Sequence, residues 1–115
     1  MAASPQFREY LAELFEPVAP VTIKSMFGGL GIFKETSKGR LMFALVAQEV
    51  IYLKADGEGL AAFEELGLEP FTIEMKNGKR GSMGYYQMPE ACFDDPDELK
   101  IWAMRAIDTA IAKKK

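Results

Sequence analysis

Near the amino terminus Phe7, Tyr10, Leu11, Leu14 and Phe15 recur at steps of three and four, which sets them on one face of a predicted helix. Glu9, Glu13 and Glu16 take the other side. Ser4-Pro5 starts the helix, because serine can accept a bond from a free amide and proline at the first position has no amide to lose. Pro17 and Pro20 end the pattern. From Val21 the period shifts toward two, and a first strand is read through to Phe33, interrupted by Gly28, Gly29 and Gly31. The polar run 34–40 reads as a hairpin loop, the apolar run Leu41 to Ala47 as a second strand, and Val50 to Lys54, after the tight break Gln48-Glu49, as a third.

In the second half, Asp56 is a cap for a short helix with Leu60, Phe63 and Leu66 facing inward, and Gly67 supplies its left-handed end. Phe71 to Met75 alternates cleanly, Asn77-Gly78 is a turn signal, and Ser82 to Met88 returns as the partner strand. Asp95-Pro96-Asp97-Glu98 carries a capping aspartate, a proline at the first position and capping-box spacing. The helix that follows has a wide apolar face of Leu99, Trp102, Ala103, Ala106, Ile107, Ala110 and Ile111, with Ile101 and Met104 at its margin. The predicted order is helix, three strands, helix, two strands, helix. Short connections within each strand group favour an antiparallel sheet covered by helices, a two-layer α+β fold.

Composition narrows the function classes. With 115 residues, 49% hydrophobic and 27% charged, the chain suits one domain over 1–115 that buries roughly two-thirds of its unfolded surface. A net charge of −3 and a pI near 5.0 disfavour nucleic acid and anionic lipid as general partners. No apolar run reaches the length of a membrane span, and the start Met-Ala-Ala-Ser-Pro is unlike a secretory leader, so the expected compartment is the cytoplasm. The lone Cys92 rules out an internal disulfide and reads as a small apolar residue rather than a reactive thiol. Histidine is absent, which removes imidazole catalysis and histidine-containing metal sites. No catalytic group, cofactor or metal site is expected, and the acidic run Asp94, Asp95, Asp97 and Glu98 is explained by helix capping.

The least ordinary stretch is Met26-Phe27-Gly28-Gly29-Leu30-Gly31-Ile32-Phe33. Its glycines suit a bulge or a close backbone approach, by a helix or by the Tyr85-Tyr86 strand. A phosphate cradle over Gly28 to Gly31 is the alternative, although the spacing is not that of a dinucleotide loop and no helix follows. Together with Met42-Phe43-Ala44-Leu45-Val46, Tyr52-Leu53-Lys54, Pro70-Phe71 and Ser82-Met83-Gly84-Tyr85-Tyr86-Gln87-Met88-Pro89, this stretch resembles the N-terminal domain of the TfoX (Sxy) family, named for regulators of competence-specific genes. The resemblance runs from about Phe7 into the last helix. It implies the same two-layer fold and a link to control of gene expression, and it carries over no catalytic residues. Regulators of this type add a helical C-terminal domain, which these 115 residues do not contain.

The expected role is therefore a non-enzymatic interaction or regulatory module with a protein partner, a second copy of the chain included. Its candidate surfaces are an exposed sheet face, a sheet edge and the Ile101/Met104 margin. The basic hairpin tips, Lys34, Lys38 and Arg40 with Lys76, Lys79 and Arg80, form a candidate nucleic-acid edge if they lie together, with Tyr52, Tyr85 and Tyr86 as a candidate base-stacking platform.

Overall fold

A computed structural model describes residues 5–26, 29–48, 50–55, 60–67, 70–74 and 80–113. Helix α1 (Pro5–Leu14) runs through a 3-10 turn at Glu16–Val18 into strand β1 (Thr22–Met26). Strands β2 (Gly29–Thr36), β3 (Gly39–Ala47) and β4 (Val50–Lys54) follow as a meander. Helix α2 (Leu60–Glu65) leads to the β5 (Pro70–Glu74) and β6 (Arg80–Gln87) pair, and α3 (Ala91–Asp94) and α4 (Pro96–Lys113) complete the order. All neighbouring strands are antiparallel, in the order β1-β2-β3-β4-β6-β5. The α+β fold expected from the sequence is the fold observed.

The stretch expected to form one interrupted strand is two. β1 and β2 pair from Thr22 opposite Phe33 to Met26 opposite Gly29, so only positions 27 and 28 separate them. The polar run expected to be a loop is shorter than its composition suggests, because β2 extends to Thr36 and β3 begins at Gly39, leaving Ser37-Lys38 as the connection. Thr36 Oγ1 closes this turn, donating to the Gly39 carbonyl at 2.7 Å and accepting from the Lys38 amide at 3.0 Å. A bulge places Phe43 between the pairs Ile32–Ala44 and Phe33–Met42. A second irregularity in β6 coincides with Gly84, whose φ of 77° suits glycine.

The helices cover one sheet face. Leu30, Ile32, Val46, Ile51 and Leu53 point to that side, and the β3 bulge adds Phe43. α1 contributes Leu11 and Phe15, whose ring meets Phe43 edge-on with centroids 5.8 Å apart. α4 buries Leu99, Trp102, Ala103, Ala106, Ile107 and Ala110, the face its periodicity predicts. Phe63 of α2 meets Trp102 at 4.8 Å and Tyr86 at 5.9 Å, closing an aromatic cluster. Tyr10 and Leu66, expected to face inward, are exposed at 42% and 56%. The covered stripe of α1 runs through Leu11 and Phe15 and leaves Tyr10 at its rim, while α2 has turned at Gly67 (φ 70°) beside Leu66.

The Asp95 cap forms as expected, with its Oδ1 accepting the Asp97 amide at 2.9 Å. The reciprocal arm of a capping box is absent, because the Asp95 amide donates to Ala91 in the preceding turn of α3. Gln48 holds a φ of 53°, the only non-glycine residue with positive φ among the described residues. Gln48→Gly is expected to raise stability by about 0.5–1 kcal/mol, by removing the left-handed penalty of a side chain. Urea unfolding checks it, and a destabilised variant contradicts it.

Candidate interaction surfaces

The sheet face turned away from the helices carries two rows of side chains. Lys24, Gly31, Leu45, Tyr52 and Gln87 follow one another across β1, β2, β3, β4 and β6 in pairing register. Thr22, Phe33 and Met42 form a second row, continued by Lys54 opposite Tyr85. Phe33, Met42, Leu45 and Tyr52 are half-buried, and none of the four belongs to the helix-side core. Apolar side chains standing on an open sheet face are what an interaction surface requires.

Lys54 and Tyr85 are in contact on this face. The Lys54 ammonium sits 4.8 Å from the Tyr85 ring centre, while the Tyr85 hydroxyl donates to the Met42 carbonyl at 3.4 Å. β4 ends near this point, so Tyr85 reaches past it from β6 to β3. The three tyrosines do not form one platform: on the face away from the helices Tyr52 is half-buried and Tyr85 is buried, whereas Tyr86 packs against Phe63 on the helix side. Adjacent strand residues alternate faces, and that alone separates Tyr85 from Tyr86.

The described part of the glycine stretch, residues 29–31, is packed within the sheet. Leu30 and Gly31 are paired on both flanks, with Ser25 and Lys24 on one side and Val46 and Leu45 on the other, so their backbone groups serve the ladders. At Gly29 an added Cβ would stand 2.1 Å from the Val46 carbonyl oxygen, so the close neighbour is β3 rather than a helix or the Tyr85-Tyr86 strand. The expectations at Phe27, Gly28, Asp56, Lys76 and Lys79 lie outside the described residues, as do the side chains of Met26, Arg80, Ser82 and Met83.

The β2–β3 turn, the end of β5 and the start of β6 lie at the same end of the sheet, with the end of β4 between them. Lys34 is turned to the helix side, where its Nζ donates to the Val18 carbonyl at 2.7 Å and the Pro20 carbonyl at 3.3 Å. Arg40 lies 3.7 Å from the Glu35 carboxylate, and Lys38 is exposed in the turn. At the β1 edge the Arg8 guanidinium donates to the Ile23 carbonyl and to Ser25 Oγ, which occupies a strand edge otherwise open to pairing. Ile101 and Met104 are exposed at 48% and 40% on the outer side of α4.

Two titratable groups are shifted. Burial pushes the Tyr85 phenol from 10.0 up to about 12. Burial, aided by the nearby Glu98 carboxylate and opposed by a backbone hydrogen bond, pushes the Cys92 thiol from 9.0 up to about 12. Cys92 is therefore a poor nucleophile, in keeping with its burial. Both folded values lie above the unfolded ones. The neutral groups contribute their full stability below about pH 9, and that contribution is lost as pH rises toward 12. Urea unfolding at stepped pH is expected to show this decline, and Tyr85→Phe to remove the part that begins near pH 10. A flat profile contradicts it.

Among the described residues no group of acidic and cysteine side chains is placed to hold a metal ion, and no helix is long and apolar enough to cross a membrane. The model of the TfoX N-terminal domain matches residues 13–110. The DNA transformation protein TfoX1 of Aliivibrio fischeri (strain ATCC 700601 / ES114) is 33% identical over 87 residues, covering 76% of this chain and 39% of that protein. The chain thus spans about two-fifths of the length of that relative. With the family match extending from the end of α1 through most of α4, the chain belongs to the TfoX N-terminal domain family.

Proposed function

We propose that this domain is a non-enzymatic regulatory module that acts in DNA transformation by docking a protein partner on its open sheet face. The observation that carries the reading is the family match over residues 13–110, supported by a relative whose name is DNA transformation protein. The half-buried Phe33, Met42, Leu45 and Tyr52 supply the surface. A cytoplasmic location fits this role. Direct nucleic-acid binding is a weaker reading, because Lys34 is tied to backbone carbonyls and Arg40 to Glu35.

Deleting the gene in its host and measuring transformation frequency tests the role. A fall that is restored by the wild-type gene is expected. An unchanged frequency contradicts the proposal.

A further inference from the structure

At the sheet end opposite the β2–β3 turn, Phe93 stands 43% exposed between two adjoining grooves. The larger, about 450 Å³, runs between α1 and the α3–α4 corner, with Tyr10, Leu14, Pro17, Phe93 and Pro96 among its apolar walls. The smaller, about 220 Å³, lies over the start of β4 and the end of β6, with Val50 and Met88 along it. Phe93 lines both, so the two form one apolar track around a single exposed ring. Tyr10 presents a second ring, exposed at 42%.

The charge along this track has one sign. Glu13, Glu16 and Asp94 line the larger groove and Glu90 the smaller, and no lysine or arginine is among the described residues lining either. None of these four carboxylates has an ion-pair partner among the described residues. Four unneutralised carboxylates around two exposed aromatic faces attract cations twice over, through the carboxylates and through the ring quadrupoles. Apolar walls between them ask for aliphatic or aromatic side chains from the same ligand.

We propose that the Phe93 track binds a basic peptide segment of a partner protein, in which lysine or arginine alternates with large apolar residues. The apolar side chains enter the grooves on either side of Phe93, and the cationic groups meet Glu13, Glu16, Glu90 and Asp94. This names a partner chemistry for the interaction-module reading on which it rests, and it assigns that partner a second surface away from the open sheet face.

The test is a titration of the purified chain with a short fluorescein-labelled peptide in which lysine and arginine alternate with leucine, followed by fluorescence anisotropy. The same peptide with glutamate at every basic position is the control. Expected results are saturable binding of the basic peptide alone, weakening with salt, and a loss of about tenfold or more in affinity for Phe93→Ala. The exposed pair Glu13→Gln/Glu16→Gln should weaken binding too, while Glu64→Gln/Glu65→Gln on α2 should leave it unchanged. Thermal unfolding establishes that each variant is folded, and the Glu13/Glu16 pair decides the question if Phe93→Ala is not. Absence of binding at low salt, or equal weakening by both glutamine pairs, overturns the proposal. Because the readout is direct binding, it stands apart from any effect on transformation frequency.

Discussion

Replacing Gly29 with valine is expected to leave little folded protein. Gly29 closes the β1–β2 pair opposite Met26, and its backbone lies so near β3 that a Cβ would sit 2.1 Å from the Val46 carbonyl oxygen and 3.2 Å from the Val46 carbonyl carbon. Both neighbours are backbone in a central strand. No rotamer relieves such a clash, since it arises at the first side-chain atom. The sheet must separate locally or β2 must shift, and either breaks the ladder that holds Leu30 and Ile32 in the core. A cost on the order of 3–5 kcal/mol is expected, a large share of the ~5–15 kcal/mol that holds a domain together. Gly29→Ala should be nearly as damaging, because it adds the same atom. Circular dichroism and urea unfolding measure this directly. A Gly29→Val protein of ordinary stability would mean that β2 and β3 do not approach as described.

Phe15→Ala is expected to lower stability by about 3–5 kcal/mol, the range for deleting a fully buried aromatic ring. Phe15 has no exposed surface and stands where α1 passes into the 3-10 turn, its amide bonded to Leu11 and its carbonyl to Val18. Its ring meets Phe43 edge-on, with the planes at 76°. Phe43 stands at the β3 bulge, so this contact ties the first helix to the middle of the sheet. Truncation leaves a cavity that neither the fixed helix nor the central strand can close. Phe15→Leu should cost less, since it keeps most of the volume. A loss below about 1 kcal/mol for Phe15→Ala would show that α1 contributes little to the core.

Much of this architecture was written in periodicity. The face of α4, its Asp95 cap, the Gly67 terminus of α2 and the antiparallel β5–β6 pair all follow from local spacing and turn chemistry. Three features did not follow, and each has a physical reason. β1 and β2 read as one strand because apolar residues continue through positions 26–33, and the single glycine between Phe27 and Gly29 looked like one of a cluster rather than a hairpin signal. The short α3 was hidden because four residues are too few for a helical period, and Cys92 and Phe93 face opposite environments within them. The loop at 34–40 is mostly strand, since hairpin residues beyond the core stay polar while their backbones still pair.

The candidate surfaces were less legible than the fold, because they depend on which strands become neighbours. The faces of Tyr85 and Tyr86 are set by alternation and could be separated from sequence. The meeting of Tyr85 with Lys54 and the Met42 carbonyl requires the strand order. Lys34 looked like a solvated tip residue, yet its side chain returns to the chain entering β1. The Phe93 track joins the end of α1 to α3 and β4, segments with no shared sequence pattern.

Docking on the open sheet face, as proposed above, makes regulation depend on Leu45. The most direct test measures transcripts of the host's DNA-uptake genes in a deletion strain carrying either the wild-type gene or Leu45→Gln, a change on the half-buried open face whose product is first shown to be folded. Restoration by the wild type and failure by Leu45→Gln is the predicted result. Equal restoration by both, or transcripts that never depended on the gene, would contradict it.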